Sequence, residues 1–224
     1  MCYLGSKAAS GAYQAIIASM PPHDTYIETH LGSGAIMLRK PKAARSIGID
    51  LDGSVIKGFS GGEAFELYNM DAGEYLNSFD YSTAGRVLIY ADPPYIHSTR
   101  TSRKRYNHEY SDDDHRRLLL LLLRLSQSGV AVMISGYPSS LYDDLLPDWR
   151  TSEFQVMTRG GPRTEKLWFS FDSDSSSWAT YAGLNYTDRQ RIKRKAKRWA
   201  SNYEKLPASE RLAILSALLE CECD

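Results

Sequence analysis

The chain has 224 residues, 42% of them hydrophobic and 24% charged, enough for one sizeable core and a short appendage. Its 27 basic and 27 acidic side chains cancel, so overall charge selects no partner and any polyanion site must come from uneven placement. Cys2, Cys221 and Cys223 lie near the two ends without disulfide-framework or metal-ligand spacing, the N-terminus lacks a signal-peptide core, and the leucine run Leu118 to Leu123 is too short to span a bilayer, which together imply a soluble cytoplasmic protein.

Tyr13, Ile16, Ile17 and Met20 recur at helical spacing until Pro21-Pro22, predicting an amphipathic helix from about Ala8 to Met20. A strand follows at Thr25 to Glu28, then the glycine turn HLGSG leading into a helix that ends at Pro41, then a strand Ser46 to Ile49 terminated by Asp50. Phe65 to Tyr68 reads as a third strand ending near Asp71, and Arg86 to Ala91 as a fourth. Ser111 caps a helix whose first turn holds Asp112, Asp113 and Asp114, where the helix dipole favours acids, and whose leucine-rich body runs to Gly129. Val130 to Ser135 is a buried fifth strand, and Ser152 to Thr158 with Glu165 to Phe171 make a hairpin.

Strands alternating with helices predict an α/β fold with a mostly parallel sheet and an antiparallel edge hairpin. Domain boundaries are expected at 1–171 for the main domain, 172–187 for a polar linker and 188–224 for a basic, helical C-terminal extension.

In an open α/β sheet, ligands bind beyond the carboxyl ends of the strands, with a glycine turn for close backbone approach and an acid on the next strand for ribose hydroxyls. Gly32 and Gly34 after the first strand and Asp50 at the end of the second fit a nucleoside-bearing cofactor. The third glycine of the dinucleotide fingerprint is missing and no Walker lysine follows, which favours a cofactor without a pyrophosphate, S-adenosylmethionine being the obvious candidate. Asp71 is then either a contact for the adenine amino group of the cofactor or an ordinary loop acid.

The fourth strand runs straight into Asp92-Pro93-Pro94-Tyr95. Two prolines stop a strand, because proline cannot feed a sheet ladder, so the bland reading is a plain turn. The functional reading is a rigid pocket in which Asp92 and Tyr95 face a ligand.

The order GSK (Gly5 to Lys7), YIETHLGSG (Tyr26 to Gly34), IGID (Ile47 to Asp50), YADPPY (Tyr90 to Tyr95), ISGY (Ile134 to Tyr137) and EKLWF (Glu165 to Phe169) resembles the Dam-like DNA adenine (N6) methyltransferases, especially compact phage or prophage types, over about residues 1 to 171. The resemblance implies a Rossmann-like, class I S-adenosylmethionine-dependent methyltransferase fold with a seven-stranded sheet, S-adenosylmethionine as donor and adenine in double-stranded DNA as acceptor. It assigns Lys7, Glu28, His30, Gly32, Ser33, Gly34, Asp50, Asp71 and Asp92 to the cofactor side, and Asp92, Pro93, Pro94 and Tyr95 to catalysis. It implies no metal. Similar proteins carry Pro-Phe where this chain has Thr29-His30, so His30 is expected to stack in place of the phenylalanine.

The chemistry suits those residue types. The lone pair of an adenine amino nitrogen is drawn into the ring, so a catalyst must hold the amino group in place with its hydrogens engaged. The Asp92 carboxylate and the Pro93 carbonyl can each accept one N–H, while Tyr95 offers a flat face to a base flipped out of the duplex.

Only twenty-one positions separate Asp50 from Asp71, and Asp71 from Asp92, leaving no room for a target-recognition insert and implying a short or relaxed site. Three basic segments could meet DNA: the loop after the motif, with Arg100, Arg103, Lys104, Arg105, Tyr106 and Tyr110; the hairpin tip, with Arg159 and Arg163; and the helix carrying Arg191 and Lys195. The basic helix reads equally as a solvated face. Alternative functions from the same residues are methylation of an RNA base or a protein glutamine, or a catalytically silent DNA-binding regulator; oligomeric state is left open.

Overall fold

The computed structural model describes Lys7 and residues 12–96, 108–158, 161–172 and 186–221. Seven strands form one sheet: β1 (Thr25–Glu28), β2 (Arg45–Asp50), β3 (Glu66–Asn69), β4 (Val87–Ala91), β5 (Ala131–Gly136), β6 (Arg150–Thr158) and β7 (Gly161–Phe169). Their order is β3-β2-β1-β4-β5-β7-β6. β1 pairs in parallel with β2 on one side and β4 on the other, so the winding reverses between β1 and β4, and the ends of those strands face the crevice where such sheets take ligands. β7 runs antiparallel to both β5 and β6, giving the predicted edge hairpin on an otherwise parallel sheet. The architecture is the Rossmann-like, seven-stranded one that the resemblance implies.

Side-chain alternation along the strands separates apolar packing from chemistry. Ile27, Ile49, Ile89, Val132, Ile134 and Trp168 pack into one cluster with Leu118, Leu119 and Leu122 of α4 (Asp112–Gln127) and Tyr142 of α5 (Ser140–Leu145). Tyr26, Glu28, Tyr90 and Ser135, the alternate positions of β1, β4 and β5, point to the other face and are all buried. Each large apolar side chain fully removed from water contributes about 1.5–3 kcal/mol, enough to hold these polar groups in a dry setting. α4 starts as predicted: Ser111 accepts from Asp114 N–H at 3.2 Å, and Asp114 accepts from Ser111 N–H at 2.8 Å, a capping box.

The helix expected between the glycine turn and Pro41 is replaced by successive turns. Leu38 N–H bonds the Gly34 carbonyl and Lys40 N–H that of Ile36, but Met37 N–H is taken at 3.0 Å by the Glu28 carboxyl, and Arg39 N–H also turns back to Ile36. A side chain from β1 thus interrupts the ladder. Three short helices were not anticipated: α2 (Gly53–Gly58) and α3 (Ala72–Ser78), which begin on the side chains of Asp52 and Asp71, and α5. α1 occupies Ala12–Ala18 and buries Ile16 and Ile17.

The chain divides into two compact units, residues 1–179 and 180–224. The second holds α6 (Tyr186–Glu204) and α7 (Ala208–Cys221), tied by the Tyr203 hydroxyl donating to the Arg211 carbonyl at 2.8 Å.

Candidate active site

The loops after β1, β2, β3 and β4 enclose one cavity. From the first comes Glu28 with His30, Leu31, Gly32 and Ser33; from the others come Asp50, Asp71, and Asp92 with Pro93 and Pro94; Lys7, His108 and Tyr110 complete its wall. Of the sequence-predicted residues, Gly34 and Tyr95 do not line it.

Gly32 and Gly34 both have positive φ, 50° and 61°. At Gly34 a Cβ would lie 2.3 Å from the Phe59 ring, so the turn has neither the backbone nor the space for a side chain. The turn is joined to β2 by Gly32 N–H donating to Asp50 Oδ2 at 2.9 Å, while Asp50 Oδ1 accepts from Asp52 N–H at 2.9 Å. Burial raises the pKa of Asp50 against these two bonds. Each oxygen keeps a lone pair for a further donor, the donor-acceptor match a ribose diol needs. Asp71 caps α3 through Oδ1, accepting from Gly73 and Glu74 N–H at 2.8 and 3.1 Å.

Glu28 Oε2 accepts from the Tyr26 hydroxyl at 2.9 Å and from Met37 N–H. Burial pushes its pKa up to about 8, because two hydrogen bonds do not replace the lost hydration. His30 sits between Thr29 Oγ1, at 2.8 Å from Nδ1, and the Tyr110 hydroxyl, at 3.0 Å from Nε2. Burial, with His115 nearby, lowers its pKa to about 3, so the ring is neutral. Its ring meets that of Tyr110 edge-on with centroids 5.5 Å apart, an aromatic contact that also uses both ring nitrogens, unlike a phenylalanine.

At the end of β4, Asp92 Oδ1 receives two donors: Ser135 Oγ from β5 at 2.8 Å and Lys7 Nζ at 2.8 Å. Among the described residues none donates to Asp92 Oδ2. Behind the cavity wall the Tyr95 hydroxyl accepts from Lys7 at 2.6 Å and donates to Glu165 Oε1 at 2.7 Å. Its ring stacks on Tyr137 with centroids 4.1 Å apart. Ser135, Tyr137 and Glu165 all fall within motifs that carry the resemblance, yet nothing local in the sequence gives them these partners.

Of the residues expected to meet DNA, Arg100, Arg103, Lys104, Arg105, Tyr106 and Arg159 lie outside the described residues. Arg163 sits half-buried on β7 opposite Val156. Arg191 pairs with Asp188 at 2.8 Å within α6, and Lys195 is exposed. Lys166, near the same hairpin tip, is committed to Asp143 at 2.8 Å. Among the described residues no cluster of His, Cys, Asp and Glu has metal-site geometry, and no helix is long and apolar enough to cross a membrane.

Solved structures similar to the chain include precorrin 8W decarboxylase of Methanobacterium thermoautotrophicum, 11% identical over 76% of this chain and 97% of that one, with a TM-score of 0.49. The O-methyltransferase TomG of Streptomyces achromogenes, solved in complex with SAM, is 13% identical over 72% and 81%, with a TM-score of 0.49. TrmN of Thermus thermophilus is 20% identical over 72% of this chain and 51% of that one, with a TM-score of 0.47. A search of curated proteins finds no match. Residues 63–161 match the family described as D12 class N6 adenine-specific DNA methyltransferase. That segment, with Asp92-Pro93-Pro94-Tyr95 inside it, is similar to the D12 class of N6 adenine-specific DNA methyltransferases, in line with the resemblance of its motifs.

Proposed function

We propose that the chain transfers a methyl group from S-adenosylmethionine to the N6 amino nitrogen of adenine in DNA, after the base has left the stack. The observation that carries this reading is the asymmetry of Asp92: Oδ1 is held by Ser135 and Lys7, while Oδ2 receives no donor from the described residues at the edge of the cavity. A carboxylate fixed through one oxygen presents the other as a rigid acceptor, which suits an amino group that must be held by its hydrogens. Asp92 Oδ2 takes one N–H and the Pro93 carbonyl the second, drawing the nitrogen lone pair out of the ring. Tyr95 is itself buried, and the half-buried Tyr137 ring stacked on it offers the flat aromatic surface to the extruded base.

The other end of the cavity fits the cofactor. Asp50 has acceptor capacity for two ribose hydroxyls, the side chain of Asp71 keeps Oδ2 for an amino donor, and the Gly32 turn allows close approach. His30 and Glu28 also line the cavity. When bound, S-adenosylmethionine supplies the electrophilic methyl group, leaving S-adenosylhomocysteine, and the amino group gives up one proton, passed through Asp92 Oδ2 to solvent.

The lack of a recognition insert supports a short or relaxed target site, with contacts drawn from the basic segment after Tyr95 and from α6. Division into a catalytic domain at 1–171 and a DNA-contacting extension at 188–224 is part of the same proposal. Labelled methyl transfer to DNA, RNA and protein, with Asp92→Ala as control, tests the reaction: label in DNA that disappears in the variant is expected. Label in DNA that survives Asp92→Ala would sink the mechanism. Methylome sequencing in a methylation-free host tests the target, and modification confined to one motif of about four or more fixed bases would refute a relaxed site.

A further inference from the structure

We propose that Lys7 and Glu165 form a buried clamp that positions Asp92 and Tyr95 for methyl transfer, making Lys7 a positioning residue and not a cofactor contact. The Lys7 ammonium donates to the Tyr95 hydroxyl at 2.6 Å and pairs with two carboxylates, Asp92 Oδ1 at 2.8 Å and, as an ion pair without hydrogen-bond geometry, Glu165 Oε2 at 3.3 Å. Held between two carboxylates, its charge is balanced inside the protein even though part of its side chain lines the cavity. Glu165 and Tyr95 do not line the cavity, so Glu165 acts on the reaction only through Lys7 and Tyr95.

The charges explain why both carboxylates are needed. Lys7 is 6% exposed, and burial by itself lowers its pKa; the charges of Asp92 and Glu165 outweigh that penalty and hold it above the ordinary lysine value. If Asp92 were the sole counter-ion, the ammonium would draw the whole of its charge and weaken Oδ2 as an acceptor. Glu165 takes a share, and its other oxygen fixes the Tyr95 hydroxyl at 2.7 Å, which sets the ring plane against Tyr137. The clamp spans β7, the end of β4 and the N-terminal segment, so no single stretch of chain could build it.

The inference rests on Asp92 serving methyl transfer, and its test is run on whichever of DNA, RNA or protein the native chain methylates, so a wrong acceptor above leaves it intact. Glu165→Gln keeps an acceptor for Tyr95 and removes the charge; Lys7→Met removes the cation. Single-turnover methyl transfer is expected to slow by roughly 10- to 100-fold in each, the scale of a misplaced reacting group, with cofactor affinity by equilibrium dialysis unchanged. Independently of activity, a slowly exchanging Tyr95 hydroxyl proton, assigned by its loss in Tyr95→Phe, should be visible by NMR and should move in Glu165→Gln. Cofactor affinity falling in step with the rate in Lys7→Met would overturn the proposal. So would an unchanged rate in folded Glu165→Gln, or a hydroxyl resonance that does not respond to it.

Discussion

Ser135 Oγ donates to Asp92 Oδ1 at 2.8 Å, joining the ends of the adjacent strands β5 and β4, and the Tyr90 hydroxyl lies 2.8 Å from the same Ser135 oxygen. The serine is buried and does not line the cavity. What it controls is the rotamer of the carboxylate.

Ser135→Ala removes one of the two bonds on Asp92 Oδ1. A hydrogen bond to a charged group contributes roughly 1.5–3 kcal/mol, so methyl transfer should slow by about ten- to a hundredfold while cofactor affinity stays put. Single-turnover rates and dialysis on the same preparation check both halves. Ser135→Thr, which restores the hydroxyl, should recover part of the rate.

Gly34→Ala should destabilise the fold without touching a catalytic group. The left-handed backbone, φ 61°, costs a side chain roughly 1–2 kcal/mol, and the contact at 2.3 Å with the Phe59 ring adds to it. Urea unfolding should show the loss. Adding Phe59→Ala should remove the contact contribution and leave the backbone one.

Glu28 gives the stability curve a defined slope. Its folded pKa of about 8 exceeds the ordinary 4.5, so the folded state holds a proton that the unfolded chain has released, and stability falls as pH rises from about 4.5 to 8. His23 and His30, lowered to about 4 and about 3, act in the opposite sense, adding stability as pH rises toward their ordinary 6.5. Lys40, lowered to about 8, adds stability only above that pH, so between 6.5 and 8 the decline comes from the buried carboxyl of Glu28, with Asp50 and Glu165, also raised by burial, acting in the same sense. Glu28→Gln, whose amide oxygen can still accept from Tyr26 and Met37, should flatten the decline in that window. Thermal melts of the cofactor-free protein across it are the check.

The His30–Tyr110 bond can be isolated by a double-mutant cycle. Tyr110→Phe leaves His30 Nε2 without its 3.0 Å partner in the half-buried cavity wall, a loss of about 1–3 kcal/mol. Tyr110→Phe combined with His30→Phe restores an apolar pair and should recover most of it. Chemical unfolding of the four proteins gives the coupling directly.

Where an element's own residues dictated it, the sequence was a good guide. β1 falls at Thr25–Glu28 as predicted, the Ser111 cap starts α4, and the Asp50 strand end lies beside the Gly32 turn. The turn-to-helix expectation before Pro41 failed because the competitor for Met37 N–H, Glu28, sits nine positions upstream on another element. The short helices α2, α3 and α5 run only six or seven residues, too few for periodicity to register. At the site, Asp92 and the prolines were legible as a word, whereas Ser135 and Glu165 reach Asp92 and Tyr95 from 43 and 70 positions away through the β4-β5-β7 neighbourhood. Pairing across a sheet leaves no trace in local spacing.

The most direct measurement is mass spectrometry of nucleosides from DNA incubated with S-adenosylmethionine and either the native chain or Asp92→Ala. N6-methyldeoxyadenosine is expected from the native chain and none from the variant. Undiminished N6-methyldeoxyadenosine from Asp92→Ala, or a native chain that methylates a different base, would contradict the role given to the Asp92 carboxylate.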